Sequence, residues 1–174
     1  MKRLAAALLA LTMAFVGVAC DDDNPPTSPD NSVTLTAQLS PANEVPPVTD
    51  AEASGSGNVT IRFDVTRDSG GTITAATVNF TVNLTGFPGT TQIILAHIHG
   101  PAAAGATAPV KIDTGITTGQ ITLTGGAASF TRTAPGPITP ADVTDMINNP
   151  SSYYFNVHSQ LHGSGVIRGP LVRQ

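Results

Sequence analysis

Three stretches of this chain alternate apolar and polar side chains with a period of two residues: 33–39, 59–65 and 78–84. Successive side chains of a β-strand point to opposite faces, so each stretch can bury one face and expose the other. Shorter runs of the same kind, separated by turns rich in glycine and proline, lie at 109–112, 120–124, 128–131, 153–159 and 165–172. The pattern predicts an all-β domain of eight or nine short strands, arranged as a β-sandwich or a closed barrel.

One segment departs from this pattern and predicts a single short helix. Thr139 can cap a helix, Pro140 suits the first helical position, and Asp142 lies where the helix dipole favours a carboxylate. Val143, Met146 and Ile147 would share one face. Asn149-Pro150 should end the helix after two to three turns, as a connection between strands.

The first twenty residues have the order of a secretory signal. Lys2 and Arg3 precede an uncharged run at 4–19, which is short for a membrane span, and Ala19-Cys20 follows. Gly17-Val18-Ala19-Cys20 resembles a bacterial lipobox, although Gly17 stands where leucine is usual. We therefore expect a signal peptide at 1–19 and a lipid on Cys20, which is the only cysteine. The alternatives are cleavage nearby that leaves a free thiol, or an uncleaved anchor.

Residues 20–32 should form a disordered tether that carries a domain at 33–174. Three aspartates follow Cys20, and the remainder to residue 32 has no aliphatic or aromatic side chain to bury. The expected location is the bacterial cell envelope, with the domain facing the periplasm or the exterior and held to the membrane by the lipid. Without Lys2 and Arg3, 6 of the 8 basic residues remain against 12 acidic ones, a net charge of −6. This balance argues against a nucleic-acid partner.

Three histidines could share one metal ion. His97 and His99 would lie on one face of a strand, about 6.6 Å apart along the chain. His158 shares a face with Tyr154 and Asn156 on a later strand. Imidazoles without thiolates suit copper or zinc, so one reading is a copper or zinc site formed by His97, His99 and His158. The other is a hydrogen-bonded polar layer between two sheets. A metal site requires ring nitrogens about 3–4 Å apart around a common point.

Four motifs, in this order over about residues 33 to 173, resemble the CHRD domain family. They are Glu44-Val45-Pro46-Pro47, Ala96-His97-Ile98-His99-Gly100-Pro101, Asn156-Val157-His158-Ser159 and Ile167-Arg168-Gly169. The family takes its name from the repeats of chordin and is also common in bacterial secreted proteins. Val166 departs from the family, which usually has glutamate before Ile-Arg-Gly. The resemblance implies an immunoglobulin-like β fold with limited likeness to copper–zinc superoxide dismutase, and it implies no established activity.

Two functions follow as expectations. The first is an envelope-anchored, non-catalytic β domain that binds an extracellular or periplasmic protein or polysaccharide partner, or serves a structural role. The second is a copper- or zinc-binding domain, distantly like superoxide dismutase. The sequence has no Gly-x-Ser-x-Gly elbow, phosphate loop or cysteine–histidine nucleophile, which argues against an enzyme. We expect Glu44 and Arg168 to form a structural ion pair that ties the first strand to the last.

Overall fold

The computed structural model describes residues 31–174, which form two antiparallel sheets. The strands are β1 (Ser32–Leu39), β2 (Ser56–Arg67), β3 (Ile73–Thr85), β4 (Ile93–His99), β5 (Val110–Asp113), β6 (Ala128–Thr133), β7 (Tyr154–Ser159), β8 (Ile167–Pro170) and β9 (Val172–Arg173). One sheet has the order β6-β3-β2-β1-β9 and the other β5-β4-β7-β8. The predicted all-β fold is confirmed, and the two sheets form a sandwich.

The hydrophobic core fills the space between the sheets. The apolar positions of the three alternating stretches, from Val33 to Leu84, are buried, whereas most of their polar neighbours are exposed or half-buried. Phe80 of β3 meets Phe155 of β7 with ring centroids 5.8 Å apart, so side chains of the two sheets are in direct contact. Period-two alternation therefore reports correctly which face of the long strands is buried.

The predicted helix is α1 (Pro140–Asn148), and it packs against β3. The Thr139 side chain accepts a hydrogen bond from the Asp142 amide at its start. Val143, Met146 and Ile147 are buried. Three short 3-10 helices, which the sequence did not predict, lie at Pro41–Asn43, Ala51–Ser54 and Pro150–Ser152.

Two of the shorter predicted strands differ in the structure. Residues 120–124 make only isolated bridges, one of them between Ile121 and Ile93. The run at 165–172 divides into β8, which pairs with β7, and β9, which pairs with β1 in the other sheet. Pro170 has no amide proton to continue the first ladder, and the Leu171 amide donates to Tyr153 instead. The chain end therefore joins the two sheets.

The expectations for the signal at 1–19, for Cys20 and for the tether up to residue 30 lie outside the described residues. Within 31–174, no helix is both long enough and apolar enough to cross a membrane.

Candidate metal centre

The three histidines lie on the face of the four-stranded sheet that is turned away from the core. In β4, Ala96 and Ile98 belong to the core, and His97 and His99 therefore project from the opposite face. The same alternation holds in β7, where Phe155 and Val157 are core residues. Tyr154, Asn156 and His158 share the outer face with the histidines of β4. The polar layer thus lies on the outside of the sandwich. One of the two expectations from the sequence had placed it between the sheets.

Loops cover this outer face, so its polar side chains are buried. His97, His99 and His158 are only 7, 8 and 5 % exposed. The loop after β4 supplies the Ala108 carbonyl to His99, and the loop after β7 supplies the Gly163 carbonyl to His158. A third loop, which follows β1, brings in Glu44. Each loop therefore delivers a polar group to the layer that it covers.

The three imidazoles meet around one point. One ring nitrogen from each histidine lies within 4.8 Å of the other two. His97 Nδ1 and His158 Nε2 are 3.2 Å apart. Nitrogen ligands about 2.0–2.1 Å from a tetrahedral metal are roughly 3.3–3.4 Å from each other. The His97–His158 pair already has this spacing, and the third imidazole needs to approach by at most about 1.5 Å.

Backbone carbonyls fix the proton positions on two of the rings. His99 Nδ1 is 2.9 Å from the Ala108 oxygen, and His158 Nδ1 is 3.1 Å from the Gly163 oxygen. A carbonyl oxygen can only accept, so both Nδ1 atoms carry protons, and in the neutral rings both Nε2 atoms carry lone pairs. His99 Nε2 is buried without a hydrogen-bond partner in the described part of the chain. Metal-ligating histidines are oriented in this way by a carbonyl on the other ring nitrogen.

His97 can take either of two neutral forms. With its proton on Nδ1, it donates to the lone pair of His158 and completes a hydrogen-bonded layer. With its proton on Nε2, which is 3.9 Å from Asp113 Oδ1, it presents a third lone pair beside the other two. The position of one proton on His97 therefore distinguishes a hydrogen-bonded layer from a metal site, which are the two interpretations that the sequence left open.

Burial keeps all three rings neutral at pH 7. It lowers the pKa of His158 to about 4, since the hydrogen bond to the Gly163 carbonyl opposes the loss of solvation only in part and the neighbouring His97 and His99 rings lower the pKa further. Burial also lowers the pKa of His97 and of His99, although Asp113 partly opposes this for His97 and the Ala108 carbonyl for His99. Neutral imidazole is the form that binds a metal. The fourth histidine, His162, lies outside the cluster and contacts Asp50 at 2.9 Å.

A stack of three planar groups supports His99. The Tyr154 ring lies parallel to the imidazole, with centroids 5.0 Å apart and an angle of 4°. The Arg168 guanidinium lies 4.7 Å from the centroid of the same tyrosine ring. The Tyr154 hydroxyl accepts from the Ala108 amide, whose carbonyl in turn accepts from His99. Tyr154 thus holds both the ring and the loop that orients it.

Glu44 and Arg168 are neighbours, but the distance between their charged groups is long for an ion pair. Both are buried, and Arg168 Nε is 3.9 Å from Glu44 Oε2. Arg168 donates its hydrogen bonds to the carbonyls of Asn43 and Ala106. Burial raises the pKa of Glu44 to about 7, and Arg168 only partly offsets this. The pair connects a loop to β8, whereas the sequence had suggested a link between the first and last strands.

Two parts of the site could not be predicted from the sequence. The carbonyls of Ala108 and Gly163 could not be recognised as acceptors from the residue types, because every residue carries a carbonyl. Asp113 is the β5 register partner of His97, and only the pairing of β4 with β5 reveals that neighbour.

Val166, where the family usually has glutamate, is fully buried in the core.

The fold and the site together define a β-sandwich domain with a histidine triad buried under loops on the outer face of one sheet. The chain belongs to the CHRD domain family, since the family model matches residues 35–171. The matched range includes all three histidines, Glu44 and Arg168. Neither the curated proteins nor the solved structures give a significant match to the chain.

Proposed function

We propose that this CHRD domain binds one copper or zinc ion through His97, His99 and His158, and that it acts by binding and not by catalysis. The observation that carries the proposal is the commitment of His99 Nδ1 and His158 Nδ1 to backbone carbonyls. It leaves an Nε2 lone pair on each of the two buried rings, and that of His158 lies 3.2 Å from His97 Nδ1. Three imidazoles without a thiolate form a donor set that suits copper or zinc.

A protein that stores or delivers the metal fits this donor set. Three protein ligands leave a position open on a four-coordinate metal, through which the ion can be exchanged with another carrier. The likeness of the family to copper–zinc superoxide dismutase is a limited one of fold, and a likeness of fold alone does not carry an activity. We therefore assign the domain metal binding and no dismutase activity.

Calorimetric titration of the metal-free protein with zinc and with copper tests the proposal. We expect one tight site per chain, lost in His97→Ala and in His158→Ala. His162→Ala is the matched control, because this histidine lies outside the cluster, and it should bind metal as the wild type does. Circular dichroism establishes that each variant is folded. A wild type that takes up no stoichiometric metal would overturn the proposal.

The proposed location is the cell envelope, through a lipid on Cys20. The basic start, the uncharged run and the Ala19-Cys20 junction support it. The domain would then hold its metal on the periplasmic or outer side of the membrane.

A protein or polysaccharide partner is a second candidate, favoured by the outer face of the five-stranded sheet. Thr36, Thr60, Thr81 and Thr131 are register partners in one row across four strands. Such a row offers hydroxyl groups that can hydrogen-bond to a polysaccharide. Retention of the protein on isolated envelope polysaccharide should fall in Thr60→Lys and Thr81→Lys while metal binding stays unchanged. Equal retention of wild type and variants would exclude this face.

A further inference from the structure

A cavity of about 480 Å³ adjoins the metal centre, and the proposed metal site does not use it. Its lining is mostly apolar and includes Val45, Pro47 and the alanines of the loop after β4. Binding sites for small molecules are typically apolar cavities of about 300–1,000 Å³ that carry a few fixed polar groups. The cavity therefore has the size and the character of a ligand site, and its polar groups decide which ligand fits.

Arg168 supplies a positive charge to the wall of this cavity. Its guanidinium donates to the carbonyls of Asn43 and Ala106 and lies over the Tyr154 ring. Asn43, Ala106, Tyr154 and Arg168 itself all line the cavity. The guanidinium is therefore held among residues of the cavity wall, and its side chain is only 6 % exposed.

One nitrogen of this guanidinium is open to a ligand. Nε and Nη1 make the two hydrogen bonds, whereas Nη2 makes none in the described part of the chain. Nη2 is also not among the side-chain atoms there that are fully buried without a partner, so it remains in contact with solvent. A largely buried arginine thus presents an unused hydrogen-bond donor at the cavity.

The charge of Arg168 is poorly matched by its surroundings. In the described part of the chain, the only carboxyl within 4 Å is that of Glu44, and its Oε2 atom is 3.9 Å from Arg168 Nε, too far for a hydrogen bond. Burial raises the pKa of Glu44 to about 7, so this carboxyl is mostly uncharged at mildly acidic pH. Buried charges are normally paired with an opposite charge. The cavity wall therefore favours an anion and disfavours a cation.

We propose that this cavity binds a small monocarboxylate with an apolar body, whose carboxylate accepts a hydrogen bond from Arg168 Nη2. Hydrogen bonds between arginine and a carboxylate are roughly twice as strong as those between neutral groups. A single open nitrogen suits a single negative charge, and the apolar lining suits the body of the ligand. This site is independent of the proposed metal ion, which none of its lining residues ligates.

Three probes of similar shape test the proposal by NMR on the metal-free full chain at pH 6: benzoate, benzamide and benzylammonium. Glu44 holds its proton in most molecules at this pH, whereas benzoate is ionised. We expect benzoate to shift the amides of 102–106 in a saturable way, and the Nε–H signal of Arg168 with the same dissociation constant. It should bind at least about fivefold more tightly than benzamide, because only benzoate offers a charge to the guanidinium. Benzylammonium should bind more weakly still.

Variants that fill the cavity establish where the probe binds. Ala102→Trp should abolish the shifts, and Ala104→Trp serves if the first variant does not fold. Arg62→Gln removes an exposed arginine outside the lining and is the matched control, which should leave the shifts unchanged. The proposal is overturned if benzoate causes no saturable shifts, if benzamide or benzylammonium binds as tightly, or if folded tryptophan variants bind as the wild type does. Because metal is absent, none of these results depends on the triad.

Discussion

His97 and His158 face each other across neighbouring strands, with Nδ1 of the first 3.2 Å from Nε2 of the second. The Gly163 carbonyl keeps a proton on the far side of the His158 ring, so only His97 can donate in this contact when both rings are neutral. Moving that proton to the side of Asp113 converts a hydrogen-bonded pair into two facing lone pairs. The proposed metal would take the place of the proton on His97 Nδ1, and that proton can be carried by Nε2 of the same ring instead.

Metal binding should persist at mildly acidic pH. Burial lowers the pKa of all three histidines, that of His158 to about 4, so the rings stay neutral below pH 6.5. Three ordinary histidines with a pKa of about 6.5 would weaken binding roughly fiftyfold between pH 7.5 and 6. We expect a loss of less than about tenfold in zinc affinity, measured by competition with a chelator. A fiftyfold loss would contradict the buried, neutral triad.

Glu44→Gln should reverse part of the pH dependence of stability. The pKa of Glu44 is raised from 4.5 to about 7 in the folded protein, so its contribution is full below pH 4.5 and is lost as the pH rises to 7. The difference between the two pKa values corresponds to about 3 kcal/mol in the free energy of unfolding. Relative to the wild type, the free energy of unfolding of the variant should increase by an amount of this order between pH 4.5 and 7.5. Urea unfolding at both values measures it; parallel curves would refute it.

His158 has the opposite dependence over an overlapping range. Its pKa falls from 6.5 to about 4, so its contribution is full above pH 6.5 and is lost as the pH falls to 4. The contribution of Glu44 therefore opposes that of His158 between pH 4.5 and 6.5, whereas His97 and His99, whose pKa values are also lowered, act in the same direction as His158. Removing the carboxyl should make the free energy of unfolding fall more steeply than in the wild type as the pH drops from 6.5 to 4.5.

Gly165→Ala should destabilise the domain strongly. Gly165 has φ +135°, and an added Cβ would lie 2.5 Å from Asn156 Nδ2 and 2.7 Å from Glu44 Oε2. Strained backbone and the collision together should cost about 2–4 kcal/mol in the free energy of unfolding. Gly163→Ala is the matched control in the same loop, since nothing lies within 4 Å of its added Cβ. Equal losses in the two variants would show that Gly165 is not closely packed.

Arg168→Lys should also be costly despite the retained charge. Arg168 donates to the carbonyls of Asn43 and Ala106 and lies over the Tyr154 ring, a geometry that one ammonium group cannot reproduce. We expect a loss of about 2–4 kcal/mol by urea unfolding. Arg62→Lys, with a side chain 60 % exposed, should change stability by less than about 0.5 kcal/mol. A tolerated Arg168→Lys would mean that only the charge matters.

The proposed lipid on Cys20 has a direct test in cells. Mass spectrometry of the membrane fraction should find the mature chain beginning at Cys20 with a diacyl or triacyl addition. Cys20→Ser should move the protein out of that fraction, because a single uncharged run at 4–19 is short for a membrane span. A variant that stays with the membrane would exclude the lipid as the anchor.

The sequence predicted the fold more fully than the site. Alternation located β1, β2 and β3, and Thr139-Pro140 located the start of α1, because these signals are local. Residues 120–124 alternate in the same way but form no strand, since pairing depends on a neighbour that alternation does not describe. Alternation also placed His97 and His99 on one face without showing that loops bury that face. The approach of His158 depends on the pairing of β4 with β7, which is a tertiary contact.

The parts of the loops that orient the triad are main-chain atoms of Ala108 and Gly163. Any amino acid at these positions would present the same oxygen, provided that the backbone follows the same path. The site should therefore tolerate drift in loop composition, whereas a single inserted or deleted residue between β4 and position 108, or between β7 and position 163, would displace the acceptor. Among related chains, conserved loop length would be a better indication of an intact triad than conserved amino-acid identity in these loops.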